Sequence, residues 1–254
     1  LLYGIVGWVR CKCYEWRILS SYRAPVPVVS VGNLAAGGTG KTPVVDWLVK
    51  DFIRQGKRPA VVSRGYGGSY REPVGIVSRG QGVLLGAGEA GDEPCLLALK
   101  NPQTPVLVAR KRADGVKVAV EQFVADVVIL DDGFQHRAVQ RDLDLVLLDA
   151  TRPYANGWPL PAGLLREFPV ALKRADLLLL TRTKEGSFFS WDEKPVFKSN
   201  HQLSNFAVTL EGQRVPLVQL KTKKLLAFAG IADPESFFSA MSGIGLQVVG
   251  QLGL

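Results

Sequence analysis

A mostly parallel β-sheet with helices on both faces is the fold class this sequence predicts. Three observations predict it. Short runs rich in Val, Leu and Ile alternate along the chain with segments of helical period. A glycine-rich turn, Gly37–Gly40, joins the first such run to the first such helix. A later apolar run, Val127–Leu130, ends in a pair of aspartates, Asp131 and Asp132. Sheets of this kind bind ligands at the carboxyl ends of their strands, and both clusters sit at such ends.

The elements follow in order. After Pro25, the β-branched residues Val26, Val28, Val29 and Val31 predict a buried parallel strand. Asn33–Gly40 is a loop. From Thr42, Val44, Val45, Leu48, Val49, Phe52 and Ile53 recur at helical spacing, with Pro43 in the first turn and Gly56 closing the helix. Ala60–Ser63 is a second strand. Residues 69–91, dense in glycine, read as a long excursion. Gly91-Asp92-Glu93-Pro94 opens a helix through Lys100. Pro105–Ala109 is a strand, Ala113–Val124 a helix, and Val127–Leu130, Leu145–Leu148 and Leu177–Thr181 are strands. After about residue 185 the chain turns polar and irregular, and then Leu225–Ile231, Pro234–Met241 and Leu246–Gln251 read strand, helix, strand. Three parts are expected: an N-terminal segment 1–24, a core 25–184, and a smaller α/β lobe 185–254.

Composition bounds the function. The chain has 254 residues, 47% hydrophobic and 21% charged, ample for a core. It does not start with Met, and is read as a portion of a longer product. Three cysteines, Cys11, Cys13 and Cys95, give no disulfide framework and no zinc spacing. The charge balance, 31 Lys+Arg against 23 Asp+Glu, favours anionic partners. With no run of basic residues and no aromatic-basic pattern, nucleic acid is not expected. The first 19 residues are rich in Leu, Val, Ile, Trp and Tyr but carry Arg10, Lys12 and Arg17. Their uncharged run is far short of the ~20 residues that span a bilayer. A helix in a membrane interface and a helix packed on the protein's own core both fit.

Gly40-Lys41-Thr42 is the phosphate-gripping end of a P-loop, where backbone N–H groups and a helix N-terminus meet phosphate oxygens. The strict pattern wants glycine where Ala35 stands. Alanine restricts φ there but keeps the N–H, and the strand-loop-helix context is the one the motif needs. Gly37, Gly38, Thr39, Gly40, Lys41 and Thr42 are therefore the nucleotide-binding candidates. Thr42, Asp131 and Asp132 are the candidates for holding Mg2+, with the inner aspartate left open. A membrane-associated ATPase or GTPase switch is one function open to such a site. No guanine-reading N-K-x-D occurs, and Ala36 stands where a class of dimerising ATPases carries a second lysine.

The stretches VGNLAAGGTGKTP (31–43), SRGYGG (63–68), GDEP (91–94), LDDGFQH (130–136), RDLDLVLLDA (141–150) and LPAGLLRE (160–167) together resemble the tetraacyldisaccharide 4'-kinase family, the lipid A kinases. That family's loop also lacks the first glycine. The resemblance implies a P-loop fold, ATP and Mg2+, and phosphorylation of the 4'-hydroxyl of a tetraacyl disaccharide 1-phosphate. It also implies work on the cytoplasmic face of the bacterial inner membrane, which favours the interfacial reading of the N-terminal helix. Leu164 and Phe168 depart from prolines usual in the family. A further segment with an Asp-His pair is expected beyond the strand near 250.

Phosphoryl transfer needs charge neutralisation, in-line placement and removal of a hydroxyl proton. Lys41 is expected on the β- and γ-phosphates. Asp92 is the candidate base on the resemblance, while the residues alone equally describe a helix N-cap. Arg64, after a strand end, suits a substrate or phosphate contact, or a surface ion pair; Arg110 and Arg166 are similar candidates. His136 suits a structural or a functional role. His201, the other histidine, has no metal-ligand partner at useful spacing.

Overall fold

The computed structural model describes residues 2–183, 186, 188–200, 202–231 and 234–253; His201 lies outside them. The described chain divides into two units, residues 1–199 and 200–254.

In the first unit the apolar runs become strands β1 (Val28–Asn33), β2 (Pro59–Ser63), β3 (Val74–Arg79), β4 (Pro105–Ala109), β5 (Val127–Asp131), β6 (Leu143–Asp149), β7 (Leu177–Thr181) and β8 (Val196–Lys198). They form one sheet in the order β3-β4-β2-β5-β1-β6-β7-β8. All neighbours are parallel except the β3–β4 pair. Helices α2 (Lys41–Arg54) and α4 (Asp92–Lys100) pack on one face, and α5 (Arg112–Glu121) on the other.

Period-two alternation sorts the side chains between these faces. Val31, Val61, Val106, Val108, Ile129 and Leu147 meet Val45 and Val49 of α2 and Leu97 of α4. Val28, Val62, Leu107, Val128 and Leu130 meet Val116 and Ala119 of α5. Farther along this second face, Val146, Leu148, Leu178 and Leu180 are covered by Leu165 and by Leu172 of a 3-10 turn, Pro169–Arg174. With both faces covered, near-continuous apolar strands are what the sheet requires.

Several boundaries differ from the sequence reading. The first strand starts at Val28, because Pro25 and Pro27 offer no N–H to a ladder; the Val28 N–H instead donates to the Asp142 carboxylate (2.8 Å). The excursion 69–91 contains β3 and a short helix, α3 (Ala87–Ala90). β3 is an antiparallel edge strand in which Gly75, Ser78 and the exposed Arg79 interrupt the apolar residues, so it shows no continuous apolar run. The first unit extends past residue 184 to 199, because the mostly exposed three-residue strand β8 pairs with β7.

The N-terminal helix α1 (Leu2–Glu15) touches the first unit along one side. Arg137 donates to the Cys11 carbonyl (3.1 Å) and pairs with Glu15 (3.3 Å), and the Cys11 thiol faces Glu167. Ile5, Val6, Trp8 and Val9, and beyond the helix Trp16, Ile18 and Leu19, are exposed. No helix among the described residues is long and apolar enough to cross a membrane.

The second unit holds an antiparallel pair, β9 (Phe206–Val208) and β10 (Arg214–Pro216). It also holds a β-α-β element of β11 (Lys224–Ala229), α6 (Pro234–Gly243) and β12 (Gln247–Gly253), whose strands are parallel. Ala227, Ala229 and Phe238 form its core.

The fold's central close approach is at Gly32. A Cβ there would lie 2.5 Å from the Phe134 Cβ and 2.8 Å from its backbone nitrogen. Gly32→Ala is therefore expected to cost about 1–3 kcal/mol, as overpacking does. A thermal melt should show a Tm lower by roughly 2–12 °C, given about 2–4 °C per kcal/mol for a domain of this size.

Candidate active site

β1 lies between β5 and β6, while the chain leaving β1 returns at β2 on the far side of β5. That reversal opens a crevice at the carboxyl end of β1, and the loop Leu34–Gly40 fills its mouth. The loop is pinned at its start. Ala36 N–H donates to the Leu164 carbonyl (2.7 Å), and Arg166 N–H to the Leu34 carbonyl (2.8 Å). The LPAGLLRE segment thus forms a short antiparallel bridge at Ala35–Leu165. Asn33, fully buried, donates its side-chain amide to the carbonyls of Ala35 (2.6 Å) and Gly37 (3.4 Å). Gly37 and Gly40 take φ of 115° and 83°, which glycine adopts without strain. Gly40 is the N-cap of α2, so Lys41 and Thr42 are its first helical residues.

Lys41 is only 8% exposed. Its ammonium lies 3.4 Å from the Asp132 carboxylate, which also takes the Arg166 guanidinium at 2.6 and 2.8 Å. Burial works to raise the Asp132 pKa, but the charges of Lys41 and Arg166 outweigh it and hold the carboxyl below its ordinary range. Asp131 differs sharply. It is fully buried at the end of β5, and the Ser63 hydroxyl donates to one of its oxygens (3.1 Å). Burial pushes its pKa up to about 6, with repulsion from Glu93 and Asp132 adding to the rise, and Lys41 and Ser63 opposing it. Its other oxygen, Oδ1, is buried without a hydrogen-bond partner. Adjacent carboxylates, one of them with an unpartnered oxygen, are a donor set that fits a hard divalent cation such as magnesium.

Arg112, missed in the sequence, is fully buried beneath this pair. It donates to the carbonyls of Ala109 (3.0 Å) and Asp131 (3.5 Å). Burial lowers its pKa to about 10, and the aspartates work against that. It stays cationic at neutral pH and helps balance the acidic site. Gln135 was missed too; it donates to the Asn33 carbonyl (2.9 Å), tying the DDGFQH turn to β1. Gln135 lies inside the DDGFQH stretch and Arg112 outside every stretch quoted above, and nothing in their spacing marks either.

Asp92 is exposed and is the first helical residue of α4. The N-cap is Gly91, so the capping alternative for Asp92 does not hold. Gly91, at φ 92°, is pressed so closely on the Tyr66 carbonyl that a Cβ would come within 2.5 Å. The start of α4 is thereby seated against the SRGYGG loop, and Glu93 in the same turn is near enough to act on Asp131. Arg64 and Arg110 are brought together: they line one cleft of about 350 Å³ with Tyr66, Tyr70, Glu72 and Glu89. Arg166 is not in that cleft; it is with Asp132. His136 is half-buried, and burial, followed by the charges of Arg112, Arg10, Arg64 and Arg141, lowers its pKa to about 4.

The whole chain, residues 1–254, matches the family model for tetraacyldisaccharide-1-P 4'-kinase. The chain belongs to this kinase family. A tetraacyldisaccharide 4'-kinase of Syntrophotalea carbinolica is 52% identical over 246 residues, covering 96% of this chain and 69% of the relative. One of Geobacter sulfurreducens is 43% identical, covering 98% and 70%. The crystal structure of LpxK from Aquifex aeolicus in complex with ATP superposes with a TM-score of 0.85 at 36% identity, covering 100% of this chain and 78% of that one. That neighbour supports the P-loop α/β fold of this 4'-kinase family member.

A neutral His136 gives the 4'-kinase family member a specific pH response. The folded-state pKa of about 4 lies below the ordinary value near 6.5, so between these pH values the unfolded chain binds the extra proton. Stability from this group is intact above about pH 6.5 and falls as pH drops toward 4. In His136→Gln, chemical denaturation across that range should show a shallower decline than in the unmodified protein.

Proposed function

We propose that this chain transfers the γ-phosphoryl group of ATP to the 4'-hydroxyl of a tetraacyl disaccharide 1-phosphate, a lipid A precursor, at the cytoplasmic face of the bacterial inner membrane. One observation carries the site assignment: Lys41 and Arg166 converge on Asp132 beside the buried Asp131, directly beneath a P-loop.

The roles follow from charge and position. The N–H groups of Gly38, Thr39 and Gly40 cradle phosphate oxygens, with Gly37 supplying the turn before them and the N-terminus of α2 adding its partial positive charge. Lys41, held near Asp132 in this structure, is positioned to exchange that partner for the outer phosphates. Thr42, Asp131 and Asp132 would hold magnesium, which when bound neutralises the phosphate charge. Arg166 anchors Asp132 and remains close enough to share transferring charge. Asp92, exposed at the first turn of α4, takes the proton from the sugar hydroxyl. Arg64 and Arg110, at the carboxyl ends of β2 and β4, offer a cationic cleft to the anionic part of the substrate.

The lipid must be met at a surface. The apolar residues Ile5, Trp8 and Val9 are exposed on α1, with Arg10 and Lys12 beside them. Exposed apolar residues of this kind bury in a bilayer interface, and the basic residues among them meet anionic headgroups.

Transfer of labelled phosphate from ATP to a tetraacyl disaccharide 1-phosphate in mixed micelles with magnesium tests the activity. Lys41→Ala and Asp92→Ala are each expected to lower kcat by about 10²–10⁴-fold, the range for loss of phosphate stabilisation or of a general base. ATP hydrolysis without lipid product would instead favour the switch reading. Trp8→Glu should weaken binding to anionic vesicles about tenfold in a sedimentation assay, from lost apolar burial.

A further inference from the structure

Arg182 follows β7 directly and takes a left-handed φ of 55°. Its guanidinium joins two distant segments. Nη1 donates to the Asp149 carboxylate at the end of β6 (2.8 Å), and Nη2 donates to the Gly38 carbonyl in the P-loop (3.2 Å). Asp149 is itself held: its other oxygen receives the Thr151 N–H (2.9 Å) and hydroxyl (2.7 Å). Burial works to raise the Asp149 pKa, but the Thr151 hydrogen bonds and Arg182 outweigh it and hold the carboxyl below its ordinary range. Asp149 is therefore charged at neutral pH.

The consequence lies in peptide geometry. In a planar trans peptide, the carbonyl of one residue and the N–H of the next point in opposite directions. Holding the Gly38 carbonyl toward Arg182 turns the Thr39 N–H the other way. On the preceding peptide, Asn33 reaches the Gly37 carbonyl and turns the Gly38 N–H in the same manner. Two successive N–H groups with fixed directions are the core of a phosphate nest. Gly37 and Gly38 are exposed and have no side chains of their own to hold them. Their order must come from partners outside the loop.

We propose that Arg182, anchored by Asp149, is a positioning residue that preorganises the P-loop for the phosphates of ATP. This inference rests on the kinase reading of the same site. Arg182 acts on the loop's carbonyl side, whereas Lys41 and Arg166 meet on Asp132. Its effect is on nucleotide affinity: an ordered nest spares the entropy that a mobile glycine loop loses on binding. A plain structural staple would lower the melting temperature and leave the affinity of the folded protein unchanged.

Equilibrium titration of the full chain with ATP and magnesium, without lipid, separates these outcomes. Arg182→Met is expected to bind ATP about five- to tenfold more weakly, the net size of one hydrogen bond. In the lipid kinase assay its KM for ATP should rise in step, with kcat and the lipid KM within about twofold of the unmodified protein. Arg182→Lys, one cationic head in place of a planar fork, should recover part of the affinity. Asp149→Asn should weaken binding in the same direction by less. Unchanged ATP affinity in Arg182→Met overturns the inference. Should that variant not fold, unchanged affinity in both Arg182→Lys and Asp149→Asn overturns it equally. An unmodified protein that binds no ATP overturns both this inference and the kinase reading. ATP binding weakened by Arg182→Met, with no lipid phosphorylated by the unmodified protein, supports this inference and rejects the kinase reading.

Discussion

A carboxylate buried at the end of a central strand is the constraint around which the first unit is organised. Asp131 is enclosed by the sheet, and burying an ionised group costs several kcal/mol unless it is paired or neutralised. The surroundings provide what that demands. Ser63 donates a hydrogen bond, Lys41 and Arg112 supply positive charge, and Arg166 takes up the neighbouring Asp132. One acidic pair thereby draws together the ends of β2, β5, α2 and α5 and the segment around Arg166. The same pair is the magnesium-binding candidate, so the electrostatic tension of the fold and the chemistry of the site share one location.

The P-loop shows a second form of the same dependence. Its glycines permit the required φ values, but permission is not order. Order comes from Asn33 on one side, from the Leu164–Arg166 segment at the loop's start, and from Arg182. Ala35 illustrates the trade. The position where the strict motif has glycine is here part of a bridge to Leu165, where alanine fits the backbone pairing. The altered motif is therefore a loop braced by its pairing with Leu165.

The N-terminal helix and the sheet meet the substrate question from opposite chemical directions. α1 exposes apolar residues with basic neighbours, suited to a lipid surface. The cleft at Arg64 and Arg110 is polar and lies at strand ends. A substrate that is half acyl chain and half phosphorylated sugar has use for both.

The sequence by itself determined the alternating architecture, the loop, the paired aspartates and the family. These are local signals: strand residues covered on both faces must be apolar, and a phosphate nest needs small residues before a helix. Tertiary structure decided which charges meet. Arg110 and Arg112 are two residues apart, yet one lines an open cleft and the other lies buried under Asp131, because the first precedes α5 and the second begins it. Asp92 reads as a helix cap until Gly91 is seen to occupy that place. Arg182 lies in an ordinary-looking stretch, and only the closing of the sheet around β1 carries it to Gly38 and brings Arg166 to Asp132. β3 and β8 were illegible for a related reason: an edge strand buries little, and its residues are chosen by a partner strand far away in the chain. Long-range pairing has no period, so spacing along one chain does not record it.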